Sequence, residues 1–286
     1  MNDYGVNLDI QLIKELRNYR DTELAKQLGV SRMTVNRWLH DSSQMSDANI
    51  SAFYEFSFSK GVKFNRIYAQ LMKEEYENSG TKILFHGSKN GIDGAVDLSK
   101  TSERNDFGRG FYCGESLEQS AMFVSPFPRS SLYIVKFNTM GLNCQTYAVD
   151  RDWMLTIALF RGRLAKYLDH PDVLRLKKRL VGADYIIAPI ADNRMFDLID
   201  EFADGQISDV QCQHCLSATD LGAQYVLVSE KAVNHAVLLR HRYLSAGEKK
   251  HYLERRSSDH AVSMDKVKAA KRTYRNQGKY IDEILK

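Results

Sequence analysis

The spacing of apolar residues changes character once along this chain, at Asn78-Ser-Gly-Thr81, and that change limits the fold more than any other feature. Before it, apolar residues recur at helical spacing with hardly any strand signal. Leu8, Ile10, Leu12, Ile13 and Leu16 predict a first helix, and Thr22 to Leu28 a second. A tight turn at Gly29-Val30 follows, and Ser31 caps a third helix running to Leu39. Ile67 to Glu77 predicts a further helix leading into the hinge. After the hinge, alternating runs predict strands at Lys82–His86, Ser131–Phe137, Asp184–Ile190 and Gln224–Ser229. Trp153–Leu180 and Arg194–Thr219 have helical spacing instead. Strands and helices interleave without a regular βαβ repeat, so a mixed α+β fold is expected, preceded by an all-α segment. The expected divisions are 1–77, 81–243 and a basic helical tail at 244–286.

A chain of 286 residues is long enough for two ordinary domains and a real core. No stretch approaches the apolar length that spans a bilayer, and no basic segment followed by an apolar run opens the chain, so no membrane partner and a cytoplasmic location are expected. Cys113, Cys144, Cys212 and Cys215 are scattered and read as reduced thiols. Cys212-Gln-His-Cys215 has metal-like spacing, but structural zinc needs four ligands and no second pair with similar spacing exists, so no metal is expected. The net charge of +4 is unevenly placed: Ser245 to Lys286 holds eleven Lys and Arg against six Asp and Glu, so this tail carries about +5. Tyr274 and Tyr280 among Lys271, Arg272, Arg275 and Lys279 suit a phosphate backbone, and equally a solvated helix face.

In the N-terminal segment, Leu24, Leu28, Val30, Val35 and Trp38 are spaced to fill the interior of a helical layout in which Ala25 permits close approach. The outer face of the third helix then shows Arg32, Met33, Asn36 and Arg37. Through Glu23-Leu-Ala-Lys-Gln-Leu-Gly-Val-Ser-Arg-Met-Thr-Val-Asn-Arg-Trp38, residues 8 to 65 resemble the helix-turn-helix of the Cro and phage-repressor class. The resemblance implies that this helix enters the major groove, where Arg favours guanine and Asn favours adenine. A helical module serving docking or dimerisation is the alternative reading.

After the hinge, two motifs stand out: Leu84-Phe-His-Gly-Ser88, and Phe107-Gly-Arg-Gly-Phe-Tyr-Cys-Gly-Glu-Ser-Leu-Glu-Gln-Ser-Ala-Met-Phe123. Ser116 and Gln119 form a capping box, so a helix begins at Leu117 and carries Ser120 and Phe123 one turn apart. Tyr112 and Phe123 can then wall an aromatic slot suited to a planar, amide-bearing ring such as nicotinamide. At these residues, and over roughly 80 to 240, the chain resembles ADP-ribosyltransferases of the diphtheria-toxin and poly(ADP-ribose)-polymerase type. It resembles more closely still a bacterial family of small ADP-ribosyltransferase-like domains found in toxin and phage-defence gene clusters.

The resemblance implies a mainly antiparallel sheet with helices, NAD as ADP-ribose donor, and roles for the matched residues. His86 would bond a ribose hydroxyl, Gly87 would let the backbone approach the nicotinamide amide, and Ser88 would add a ribose contact. Tyr112 and Phe123 would sandwich the ring, with Ser120 bonding its carboxamide. Arg109 would reach a pyrophosphate oxygen, or else form a surface salt bridge. The third motif, Gln224-Tyr-Val-Leu-Val-Ser-Glu-Lys-Ala232, begins with Gln where the family strand normally has Glu. A glutamine can align a ribose but can neither offset a cation with a full charge nor act as a base, so single transfer rather than chain elongation is implied. A base could come from the acceptor itself, or from Asp192, Asp106 or Glu230.

The expected function is an NAD-dependent mono-ADP-ribosyltransferase (a glycosyltransferase), a toxin or phage-defence effector with His86, Tyr112 and Gln224 as catalytic residues. The expected partners are NAD, operator DNA or acceptor DNA or RNA (less favoured, protein), and an antitoxin. A non-catalytic NAD-binding transcriptional regulator and an NAD glycohydrolase stay open as alternatives.

Overall fold

The computed structural model describes residues 4–190, 193–218 and 222–286, with the side chains of 193 and 194 left aside. Among the described residues there are thirteen α-helices and seven strands. In chain order these are α1 (Val6–Arg17), α2 (Asp21–Leu28), α3 (Arg32–His40), α4 (Asp47–Ser59), α5 (Phe64–Tyr76), β1 (Thr81–Ser88), β2 (Phe111–Gly114), α6 (Leu117–Val124), β3 (Ser131–Asn138) and β4 (Cys144–Thr146). There follow α7 (Arg151–Phe160), α8 (Pro171–Arg179), β5 (Tyr185–Pro189), α9 (Asn193–Ala203), α10 (Asp209–Ser217), β6 (Ala223–Leu227), α11 (Glu230–Asn234), β7 (Ala236–Tyr243), α12 (Ala246–Thr273) and α13 (Ile281–Ile284). The class is α+β with mostly antiparallel strands, as the interleaved pattern implies.

The chain forms two compact units, and neither is a continuous segment. The first combines the chain up to Asp93 with Leu117–Asn138 and Val237–Arg255; the second combines Gly94–Ser116, Thr139–Ala236 and Arg256–Lys286. This division follows different lines from the sequence segments, because the N-terminal helices share a core with strands. In the first unit β1 pairs antiparallel with β3, and β7 lies beside β3. Ile10, Ile13, Leu24, Val35, Trp38 and Phe53 from the helices join one apolar cluster with Ile83, Phe85, Ala121, Val124, Leu132 and Ile134.

A buried polar network ties the same unit together. Arg242 on β7 donates to Asp9 on α1 from Nη2 (2.7 Å) and from Nη1 (3.3 Å). Its Nε donates to Asn65 Oδ1 at 3.0 Å, and Tyr54 donates its hydroxyl to Asp9 Oδ2 at 2.7 Å. Asn65 in turn donates to the Glu248 carboxylate at 3.0 and 3.1 Å. These bonds supply the partners without which buried charges would be prohibitively costly.

In the second unit the strand order is β4-β5-β6-β2, with β5–β6 and β6–β2 antiparallel and β4–β5 parallel. Its core is built from α7, α8, α9 and α10 around Trp153, Ile157, Leu176, Phe202 and Leu216. No helix among the described residues is long and apolar enough to cross a membrane.

Candidate active site

In the first unit the His-Gly-Ser motif closes β1. Strand alternation sends His86 to the face opposite Phe85 and Gly87, in register with Tyr133 on β3. The two rings lie 6.2 Å apart, and Tyr133 stacks on His241 of β7 at 4.5 Å. Gly87 faces helix α6: a Cβ there would sit 2.6 Å from Val124 Cγ1 and 2.8 Å from the Ser120 carbonyl oxygen. Only glycine permits that approach. Its need is therefore explained by packing within the unit, independently of any ligand.

Helix α6 begins at Leu117, where the capping pattern places it. Ser120 is buried and donates its hydroxyl to the Phe85 carbonyl at 2.9 Å. Its proton is thus committed to β1, which leaves the oxygen as an acceptor. One turn on, Phe123 is 59% exposed, with Lys89 Nζ 5.7 Å above its ring. Ser88 donates to the Gly91 carbonyl at 2.8 Å and shapes the turn after β1.

The Phe107–Gly114 part of the second motif lies in the second unit. The Phe107-Gly-Arg-Gly run is a loop entering β2, and Gly108 has φ 73° with Phe160 carbons 2.9 and 3.0 Å from where a Cβ would stand. The Tyr112 hydroxyl accepts from Phe107 N (3.0 Å) and donates to the Gly108 carbonyl (2.9 Å), so the ring fixes the loop that precedes it. Burial pushes this hydroxyl well above the ordinary tyrosine range. Arg109 is engaged by its own loop: Nε and Nη2 donate to Glu103 at 3.1 and 2.8 Å, and Nη1 to the Thr101 carbonyl at 3.0 Å and the Ser99 carbonyl. This is the salt-bridge alternative for Arg109, and a phosphate contact would have to compete with it.

Register places Gly114 opposite Gln224 and Tyr112 opposite Val226, so Tyr112 and Gln224 project from one face of the β2–β6 pair. Gln224 is 7% exposed and donates Nε2 to Asp106 Oδ2 at 3.2 Å and to the Pro189 carbonyl at 3.1 Å. Asp106 also accepts from Arg161 Nη2 at 3.2 Å. Burial raises the Asp106 carboxyl, and the Gln224 and Arg161 bonds pull it back down. The Arg161 guanidinium lies 3.0 Å from the Phe196 ring centroid.

A family model matches residues 82–238, more than half of the chain, and carries the description "Protein of unknown function (DUF3990)". The chain belongs to the DUF3990 family. Comparison with curated proteins and with solved structures returned no match. The DUF3990 region contains every residue of the three motifs, from His86 to Gln224, and leaves α1 to α5 outside it.

Of the other sequence candidates, Arg32, Met33, Asn36 and Arg37 are all exposed on α3, while Val35 and Trp38 beside them are buried. Ser31 caps this helix by accepting from Thr34 N at 3.1 Å. In the basic tail, Lys271 pairs with Glu201, and Tyr274 stacks on His214 with centroids 3.5 Å apart. Those two side chains pack within the second unit, while Arg272, Arg275 and Lys279 near them are exposed. Cys212 and Cys215 are buried and donate to the Leu198 and Val267 carbonyls, and burial pushes both thiols up. Among the described residues no group of three or more His, Cys, Asp or Glu could hold a metal ion. Glu230 is exposed at the start of α11, and Asp192 lies outside the described residues.

In the sequence Asp106 is one of three carboxylates that could serve as a base, and nothing singles out Arg161. The one local signal was position, since Asp106 directly precedes the Phe107-Gly-Arg-Gly run.

Proposed function

We propose that this protein is an NAD-dependent mono-ADP-ribosyltransferase that modifies nucleic acid, a toxin or phage-defence effector whose N-terminal helices contact DNA. The observation that carries this reading is the shared face of Tyr112 and Gln224 on β2 and β6, with a buried carboxylate behind the glutamine. It joins an aromatic platform to an acceptor able to orient a ribose.

On this reading Tyr112, in the second unit, offers a stacking face for the nicotinamide ring. Gln224 Oε1, in the same unit, accepts from a ribose hydroxyl, and in the first unit His86, Ser88, Ser120 and Phe123 keep the roles that the resemblance implies. The glycosidic C–N bond breaks with its electron pair leaving on nicotinamide, which departs neutral. A lone pair of the acceptor closes on the cationic, oxocarbenium-like sugar, and the acceptor releases one proton to solvent. The residues contribute mainly by orienting the donor and favouring positive charge at the anomeric carbon.

Exposed Arg32, Asn36 and Arg37 on α3 and the exposed cations of the tail favour a polyanionic partner. An operator controlling the protein's own gene and an antitoxin protein fit the same reading. Nicotinamide release from NAD by the purified protein, with and without a nucleic-acid-rich lysate, tests it. Release that needs the lysate and disappears in His86→Ala supports transfer; release without any acceptor favours an NAD glycohydrolase; NAD binding without release favours a non-catalytic regulator.

A further inference from the structure

The loop before β2 and the start of β6 bring a carboxylate against Gln224, at the position where the resemblance implies a glutamate. Asp106 is 7% exposed, and each of its oxygens has a partner: Oδ2 accepts from Gln224 and Oδ1 from Arg161, both at 3.2 Å. The Gln224 nitrogen faces this carboxylate and the Pro189 carbonyl, and neither group can donate. The orientation of the amide is therefore determined, and Oε1 is its remaining polar end. A glutamate at 224 would bring no proton to either neighbour and would set a second negative charge against Asp106.

We propose that Asp106 is a positioning residue of the donor site: it holds Gln224 with Oε1 directed at the donor ribose and supplies, one side chain removed, the negative charge that the glutamine lacks. This rests on the NAD reading above. A carboxylate set close behind the acceptor acts on a developing cation through a low-dielectric path and stabilises the transition state more than the ground state. Arg161 donates to the carboxylate and offsets part of the rise that burial imposes on it, and the Phe196 ring lies against the guanidinium. No bond to Asp106 forms or breaks, and no proton moves to it.

The test compares the unaltered full-length protein with Asp106→Asn, Gln224→Glu and the double variant Asp106→Asn/Gln224→Glu, reading kcat and KM for NAD cleavage, with thermal unfolding to confirm folding. Asn keeps the shape of Asp and removes its charge, so kcat should fall about 100-fold with little change in KM. The double variant returns one carboxylate to the pair and should recover most of that loss. Gln224→Glu alone places two carboxylates in contact and should be less active than the double variant. Full activity in folded Asp106→Asn, or no recovery in the double variant, overturns the proposal while leaving the NAD reading intact. Absence of NAD cleavage by the unaltered protein overturns the NAD reading itself and this proposal with it.

Discussion

Arg242 Nη2 lies 2.7 Å from Asp9 Oδ2 in an ion pair whose side chains are 1% and 0% exposed. The pair links β7, at the end of the DUF3990 match, to the first helix of the chain. The N-terminal helices therefore belong to the same compact unit as β1 and β3, which carry His86 and Tyr133. Removing one partner leaves the other buried without its counter-charge. Asp9→Asn or Arg242→Leu should each destabilise the protein by about 3–5 kcal/mol, measured by urea unfolding. An unchanged midpoint would show that the pair does not hold the unit together.

Glu248 reports on the same network through pH. Burial lifts its carboxyl from an ordinary 4.5 to about 7, while Asn65, Arg242 and Lys63 pull it down. A raised carboxyl binds its proton more tightly when folded, so its stabilising contribution is complete below about 4.5 and is lost as pH rises through about 7. The cost at pH 8 is on the order of 3 kcal/mol. Glu248→Gln keeps an acceptor for Asn65 and should raise the unfolding midpoint at pH 8 but not at pH 4. Equal effects at both pH values would contradict this account.

Gly87 should tolerate no side chain. Alanine there would press on Val124 Cγ1 and on the Ser120 backbone oxygen, at 2.6 and 2.8 Å. The expected cost is about 1–3 kcal/mol in unfolding free energy. Val124→Ala in the same chain should recover part of it but not all, since the backbone oxygen remains.

The exposed face of α3 can be tested apart from stability. Arg32→Ala and Arg37→Ala should leave thermal unfolding unchanged and weaken binding to DNA from the protein's own upstream region in fluorescence anisotropy. A phosphate-contacting arginine should lower the slope of log K against log salt by about one on removal, whereas a base-reading arginine should relax sequence preference. No effect from either variant would point to the docking reading of this segment.

The elements were legible where their periodicity is local. Helices α1 to α3, strands β1, β3, β5 and β6, and the start of α6 all fall on segments whose spacing or capping residues announce them. Strand β7 was not, because Arg240-His-Arg242 reads as polar until its partner is known, and Asp9 lies 233 positions away. Strand β2 has only four residues and a glycine-rich approach, which resembles a turn. The candidate-site motifs stand out in the sequence residue by residue, yet the contact between Asp106 and Gln224 spans 118 positions. Gly87 shows the converse: its motif suggests a ligand, and its packing supplies a second, purely structural reason.

The central claim is transfer of ADP-ribose from NAD to nucleic acid, and labelled NAD incubated with the purified protein and lysate tests it most directly. The account predicts label on macromolecules that survives protease, is removed by nuclease, and is absent with His86→Ala and Tyr112→Ala variants. Label removed by protease and resistant to nuclease would contradict the choice of acceptor, and no label under any condition would contradict the activity itself.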